Sequence, residues 1–145
     1  MEKTVVIDNK KYQLIFKGKT ARLYRDYFQE DVLSKLLDMQ FTMVTASTEV
    51  KKQMPNADKT LSGLIISKAI DNAFVERFMW TCMKTSNKNK RLLDYEKFID
   101  NLDDYGGFIS EGIDWLTEVI LSMTPVAENE EDPSSEEKED IKKLN

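Results

Sequence analysis

The chain contains no histidine, a single cysteine and no apolar run long enough to cross a bilayer, and each absence removes a class of function. Histidine is the commonest general acid or base near neutral pH and the usual activator of a serine or cysteine nucleophile, so Ser-His-Asp and Cys-His enzymes are ruled out. The usual zinc and haem ligand sets cannot be assembled without it. Cys82 alone cannot supply an internal disulfide framework. No apolar stretch approaches the roughly 18 residues that span a membrane, which predicts a soluble protein. The start, Met1-Glu2-Lys3-Thr4, leads into strand-like sequence without the apolar core of a secretory signal, which predicts a cytoplasmic site of action. Carboxylate or lysine chemistry stays formally open, but it needs groups that converge in a pocket, and spacing alone displays no such convergence.

What is present is enough for one core. The chain has 145 residues, 41% of them hydrophobic, close to the roughly 100–150 residues of a common single domain. Its net charge of −5 is unevenly placed. Up to Val126 there are 18 Lys/Arg and 18 Asp/Glu, and beyond it 3 against 8, so the imbalance lies wholly in the tail. A balanced body lacks the positive excess expected of a protein that binds nucleic-acid phosphates.

Along the chain, Val5 and Ile7, then Tyr12, Leu14 and Phe16, alternate with polar residues around Asp8-Asn9-Lys10-Lys11. This predicts a β-hairpin with one apolar face that must cover helices. Thr20 is the expected N-cap of a short helix to about Phe28, with Leu23, Tyr24, Tyr27 and Phe28 on one face. Asp31 caps a second helix, running to about Gln53, in which Leu33, Leu36, Leu37, Gln40, Phe41 and Val44 follow helical spacing. Met54-Pro55-Asn56 breaks it. A third helix is expected from Asp58 to Met83, with an apolar stripe so broad that it should be the central helix or one with a second apolar face for a partner. Asp94 then caps a short helix to Leu102, with Leu93 and Phe98 at the positions of a hydrophobic staple. Asp103 to Gly107 reads as a turn, followed by a last helix marked by Ile109, Ile113, Leu116, Ile120 and Met123 and ended by Pro125. The expected fold is therefore α+β, mostly α. An N-terminal hairpin packs on a bundle of about five helices within residues 1–125, and residues 126–145 form a disordered acidic tail.

Few features of the sequence suggest a site. Aligning Asn101 with the first position of a calcium loop leaves Gly112 at the twelfth, where a bidentate Glu is needed. Gly106-Gly107 lacks the spacing of a phosphate-binding loop. Lys84, Lys88, Lys90 and Arg91 form a short basic run without interleaved aromatics, read as a solvated loop. Cys82 reads as a buried structural thiol. No catalytic, cofactor or metal residue is assigned. The candidates for binding a partner are Phe78, Met79, Trp80 and Met83, joined by Trp115 and Val119, because Met with Trp suits adaptable surfaces. Their helical spacing favours the core, and any part left exposed would be the place for a partner.

Two stretches carry a family likeness. Tyr12-Gln13-Leu14-Ile15-Phe16 leads to Thr20-Ala21-Arg22-Leu23-Tyr24-Arg25-Asp26-Tyr27-Phe28 and Asp31-Val32-Leu33. The second stretch is Leu93 to Leu102, with the Asp103-Asp104-Tyr105 ending and the helix from Ile109 to Met123. In this order they resemble the tail assembly chaperones of long-tailed bacteriophages and prophages, over about residues 4–125 and without an invariant catalytic signature. The resemblance implies a non-enzymatic protein of the bacterial host cytoplasm. It would self-associate, bind the tape measure protein to keep it soluble during tail assembly, and be absent from the virion. It also implies a longer frameshifted form that contacts the tail tube protein. No nucleic acid, membrane or cofactor is expected. The competing readings are a generic α-helical adaptor or regulator, such as a dimer closed by the last helix, and a metal-dependent hydrolase built on Asp94, Asp100, Asp103, Asp104 and Asp114.

Overall fold

Asp8 and Asn9 adopt left-handed backbone (φ 51° and 63°), and their short polar side chains tolerate it at a two-residue hairpin turn. They join strand β1 (Glu2–Ile7) to β2 (Lys10–Ile15), so Lys10 and Lys11, expected in the turn, belong to the second strand. The antiparallel register sets Val5 opposite Tyr12 and Lys3 opposite Leu14, which puts Val5, Ile7 and Leu14 on one buried face. The computed structural model describes residues 1–53 and 70–123. It is α+β, mostly α, with five helices among the described residues: α1 (Gly18–Phe28), α2 (Val32–Gln53), α3 (Asn72–Thr85), α4 (Tyr95–Asp100) and α5 (Tyr105–Ser122).

Helix α3 is the axis of the packing. The hairpin's second strand, α1 and α5 all pack against it, and nine of its residues are buried. The expected centrality of this apolar segment therefore holds for residues 72–85. The expected single helix from Asp58 does not: the chain bends at Ile70, and Asp71 starts α3 afresh by accepting the Ala73 N–H at 3.0 Å. Asp58 to Ala69, like the tail 126–145, lies outside the described residues.

Other caps also depart from expectation. Helix α1 begins two residues before Thr20, whose hydroxyl accepts the Lys17 N–H at 3.1 Å and donates to the Ile15 carbonyl at 3.0 Å. Thr20 thus ties the helix to the strand before it. Thr85 Oγ1 lies 2.9 Å from that same hydroxyl and 2.8 Å from the Thr81 carbonyl, fixing the end of α3 to this corner. Asp31 does serve α2, accepting from the Leu33 N–H at 3.1 Å and the Ser34 hydroxyl at 2.9 Å. Asp94 precedes α4, but its side chain makes no capping bond, and the helix stops at Asp100. The glycine turn is also shorter than expected. Gly106 and Gly107 lie in the first turn of α5, where the Asp104 carboxylate accepts the Gly107 N–H at 2.9 Å.

Two buried contacts set the tightness of the core. A Cβ on Gly112 would overlap the Val75 Cγ1 methyl and lie 2.9 Å from Met79 Cγ, so glycine lets α5 approach α3 closely. Tyr24 is fully buried, and burial and then the Glu30 carboxylate push its pKa up to about 12 against the opposing pull of the nearby Arg77 guanidinium. Nearby, Glu30 is held by Arg77 at 3.0 Å and Lys35 at 3.4 Å, which joins α3 and α2 across the α1–α2 connection.

Candidate partner-binding surfaces

The six candidate partner residues are all inside. Phe78 stacks on Phe74 at 5.8 Å and meets Phe16 at 5.8 Å. Trp80 is enclosed by Tyr27, Phe28 and Tyr95, with its indole N–H donated to the Leu93 carbonyl at 3.0 Å. Met79 faces Gly112, and Met83 and Val119 are fully buried. Trp115 donates to the Cys82 sulfur at 3.3 Å, and burial pushes the Cys82 thiol up to about 12, far from a reactive thiolate. None of the six offers a surface to a partner, because helical spacing around a central helix sends apolar residues inward on every side.

Among the described residues, four of the ten exposed large apolar side chains lie together on α2. Val32 and Leu36 are buried, and Met39 and Met43 pack against the same core, which makes one face of the helix structural. Leu33, Leu37, Phe41 and Val44 follow the same helical spacing on a second face, roughly 130° around the axis at about 100° per residue. Their side chains are 45%, 53%, 75% and 57% exposed. The expected stripe mixed these two faces: of Leu33, Leu36, Leu37, Gln40, Phe41 and Val44, only Leu36 is fully buried. A usable signal existed in the sequence. Residues 39–48, Met-Gln-Phe-Thr-Met-Val-Thr-Ala-Ser-Thr, carry no charge, which is unusual for a helix with one face in solvent.

A second surface comes from the loop read as merely solvated. The Asn89 amide spans β2 and α3: Oδ1 accepts the Gln13 N–H at 3.0 Å, and Nδ2 donates to the carbonyls of Gln13 at 2.7 Å and Met83 at 2.9 Å. Asn89 thereby pairs with the free edge of β2 as a neighbouring strand would. Ser86 Oγ adds a 2.6 Å contact to Gln13 Oε1 and accepts the Lys88 N–H. The anchored loop brings Lys88, Lys90 and Arg91 beside Lys10 and Lys11 of the hairpin around an open cleft of about 440 Å³. An adjoining cleft of about 390 Å³ adds Lys19 and Lys84. No sequence signal joins Lys10 to Lys88, because the contact follows from the Asn89–Gln13 pairing.

The acidic turn, by contrast, has a structural task. The backbone N–H groups of Asp103 and Asp104 both donate to the Asp8 carboxylate, at 2.9 and 3.0 Å, so the hairpin tip is fastened to the start of α5. Among the described residues no group of three or more His, Cys, Asp or Glu side chains could hold a metal ion. Likewise, no described helix is long and apolar enough to cross a membrane.

These elements define an α+β, mostly helical protein with two exposed surfaces of opposite character, one apolar and one basic. Comparison with protein-family models, with curated proteins and with solved structures gives no match for this chain.

Proposed function

We propose that this protein is a tail assembly chaperone of a long-tailed bacteriophage or prophage, a non-enzymatic protein that binds the tape measure protein in the host cytoplasm and keeps it soluble. The observation that carries this reading is the second apolar face of α2, from Leu33 to Val44, exposed on a helix whose other face is packed. A holding chaperone for a long helical client needs such a face, because an amphipathic client helix docks by laying apolar residues of i, i+4 spacing against apolar neighbours.

The magnitude favours many weak contacts over one strong one. Full burial of a Leu, Val or Phe side chain contributes about 1.5–3 kcal/mol, and these four are already between a quarter and just over half buried, so docking gains roughly 3–7 kcal/mol in all. That offsets only the lower end of the roughly 4–15 kcal/mol lost in association, so one site alone would hold a client loosely. Many copies along a long client, self-associated side by side, would hold it well through avidity. A longer frameshifted form reaching the tail tube protein belongs to the same proposal.

Co-expression with the long helical protein encoded nearby tests it. The client is expected to become soluble and to co-purify, and Leu37→Glu with Phe41→Glu is expected to abolish both effects while the chaperone itself stays folded. A client whose solubility does not change, or that is captured equally by the double variant, would overturn the reading. A gene neighbourhood without tail components would favour a generic helical adaptor instead.

A further inference from the structure

We infer that the basic face formed by the hairpin and the 86–92 loop is a binding site for an acidic peptide segment, and that its ligand is the chain's own residues 127–145. This goes beyond client binding and does not rest on it.

The argument starts from how charge is distributed. Seven cations line the two adjoining clefts, and no carboxylate residue lines either one. The four ion pairs among the described residues involve Lys3, Arg22, Lys35 and Arg77, so none of the seven is neutralised by a described carboxylate. Asp8 lies within coulombic range of Lys10, but both its oxygens are engaged by the Asp103 and Asp104 N–H groups. With seven of the body's eighteen cations on one face, eleven remain to balance its eighteen acids elsewhere. A body neutral in sum is therefore polarised. An acidic segment is drawn to this face and repelled by the rest of the surface.

Rigidity supports a site over a diffuse patch. The Asn89 amide and the Ser86–Gln13 contact hold the loop to β2 and α3, so its cations are presented without the ordering cost of a free loop. Tyr12 and Leu92 contribute apolar lining between the charged groups, room for the aliphatic stems of glutamates.

The ligand is identified by complementarity and tether. Residues 127–145 carry eight acids against three lysines. From Met123, the last described residue, 22 residues at about 3.3 Å each can span at most roughly 70 Å. That exceeds the diameter of a body with a radius of gyration of about 14 Å. A tethered segment of this reach acts at an effective concentration of order 1 mM, well above that of a dilute competitor.

The test uses the full chain. Amide NMR spectra of the wild type are compared with those of a variant of equal length in which the eight tail acids are changed to Gln or Asn. Differences are expected at the amides of Lys10, Lys11 and residues 86–92, at low salt and independent of protein concentration, and they should collapse in about 0.5 M NaCl. Lys88→Glu with Lys90→Glu and Arg91→Glu, all exposed positions, should erase the same differences. A synthetic 127–145 peptide should bind the tail-neutralised variant about ten-fold more tightly than the wild type, where the tethered copy competes. Absence of these differences, or differences scattered over other surfaces, overturns the inference. So do differences that vanish on dilution, which would place the segment on a second copy. A single-stranded oligonucleotide that perturbs the same amides when tail neutralisation perturbs none overturns it in favour of nucleic acid.

Discussion

Asp8 does two things at once, accepting the left-handed backbone of the hairpin turn and receiving two N–H groups from the start of α5. Those two hydrogen bonds, with Lys10 nearby, hold its carboxyl below the usual carboxylate range. A carboxyl depressed in the folded state adds stability that is complete above its unfolded pKa of about 3.9 and is lost as pH falls through the folded value. Asp8→Asn keeps the turn, because asparagine tolerates left-handed backbone, and removes the charge. The variant should therefore be less stable than the wild type at pH 7, and the gap should close below about pH 4. Urea midpoints at pH 7 and pH 3 check this, and an equal gap at both would show that the ionised carboxylate is not what matters.

At the scale of elements, the decisive contact is the close approach of α5 to α3 at Gly112. Gly112→Ala should destabilise the protein by about 1–3 kcal/mol through overpacking against Val75 and Met79. Adding Val75→Ala should recover part of that loss, measurable as a coupling of about 0.5–3 kcal/mol in a double-mutant cycle. The elements themselves were largely legible in the residues. Alternation of Val5, Ile7, Tyr12 and Leu14 marks the hairpin, and Asp31 marks the start of α2, because both signals are local. The start of α1 lies two residues before Thr20, because the Thr20 hydroxyl is recruited by the preceding strand and by Thr85, a contact 65 residues away that no local signal marks. The break at Ile70 and Asp71 was hidden by apolar residues that continue helical spacing on both sides.

At the scale of the molecule, two surfaces remain after the core has taken Phe78, Trp80 and Trp115, and the core and surface readings differ in what substitution costs. Leu37→Glu with Phe41→Glu should leave the urea-unfolding stability within about 0.5 kcal/mol of the wild type, as surface changes do. Phe78→Ala should cost about 3–5 kcal/mol. A loss above about 2 kcal/mol for the α2 double variant would mean that another part of the chain covers this face, and docking there would have to be abandoned. The residues by themselves determined the class of fold, the hairpin, the broad apolar stripe of the segment running to about Met83, and the concentration of negative charge beyond Val126. All of these depend on composition and short-range periodicity. Only the tertiary structure decided which of two interleaved apolar stripes on α2 faces inward, and that the Phe78–Met83 cluster is core. It alone gathered Lys10, Lys11 and Lys19 with the loop cations. The physical reason is that burial and charge clustering depend on what lies across from a residue, and in this chain those neighbours are often 60 or more positions away.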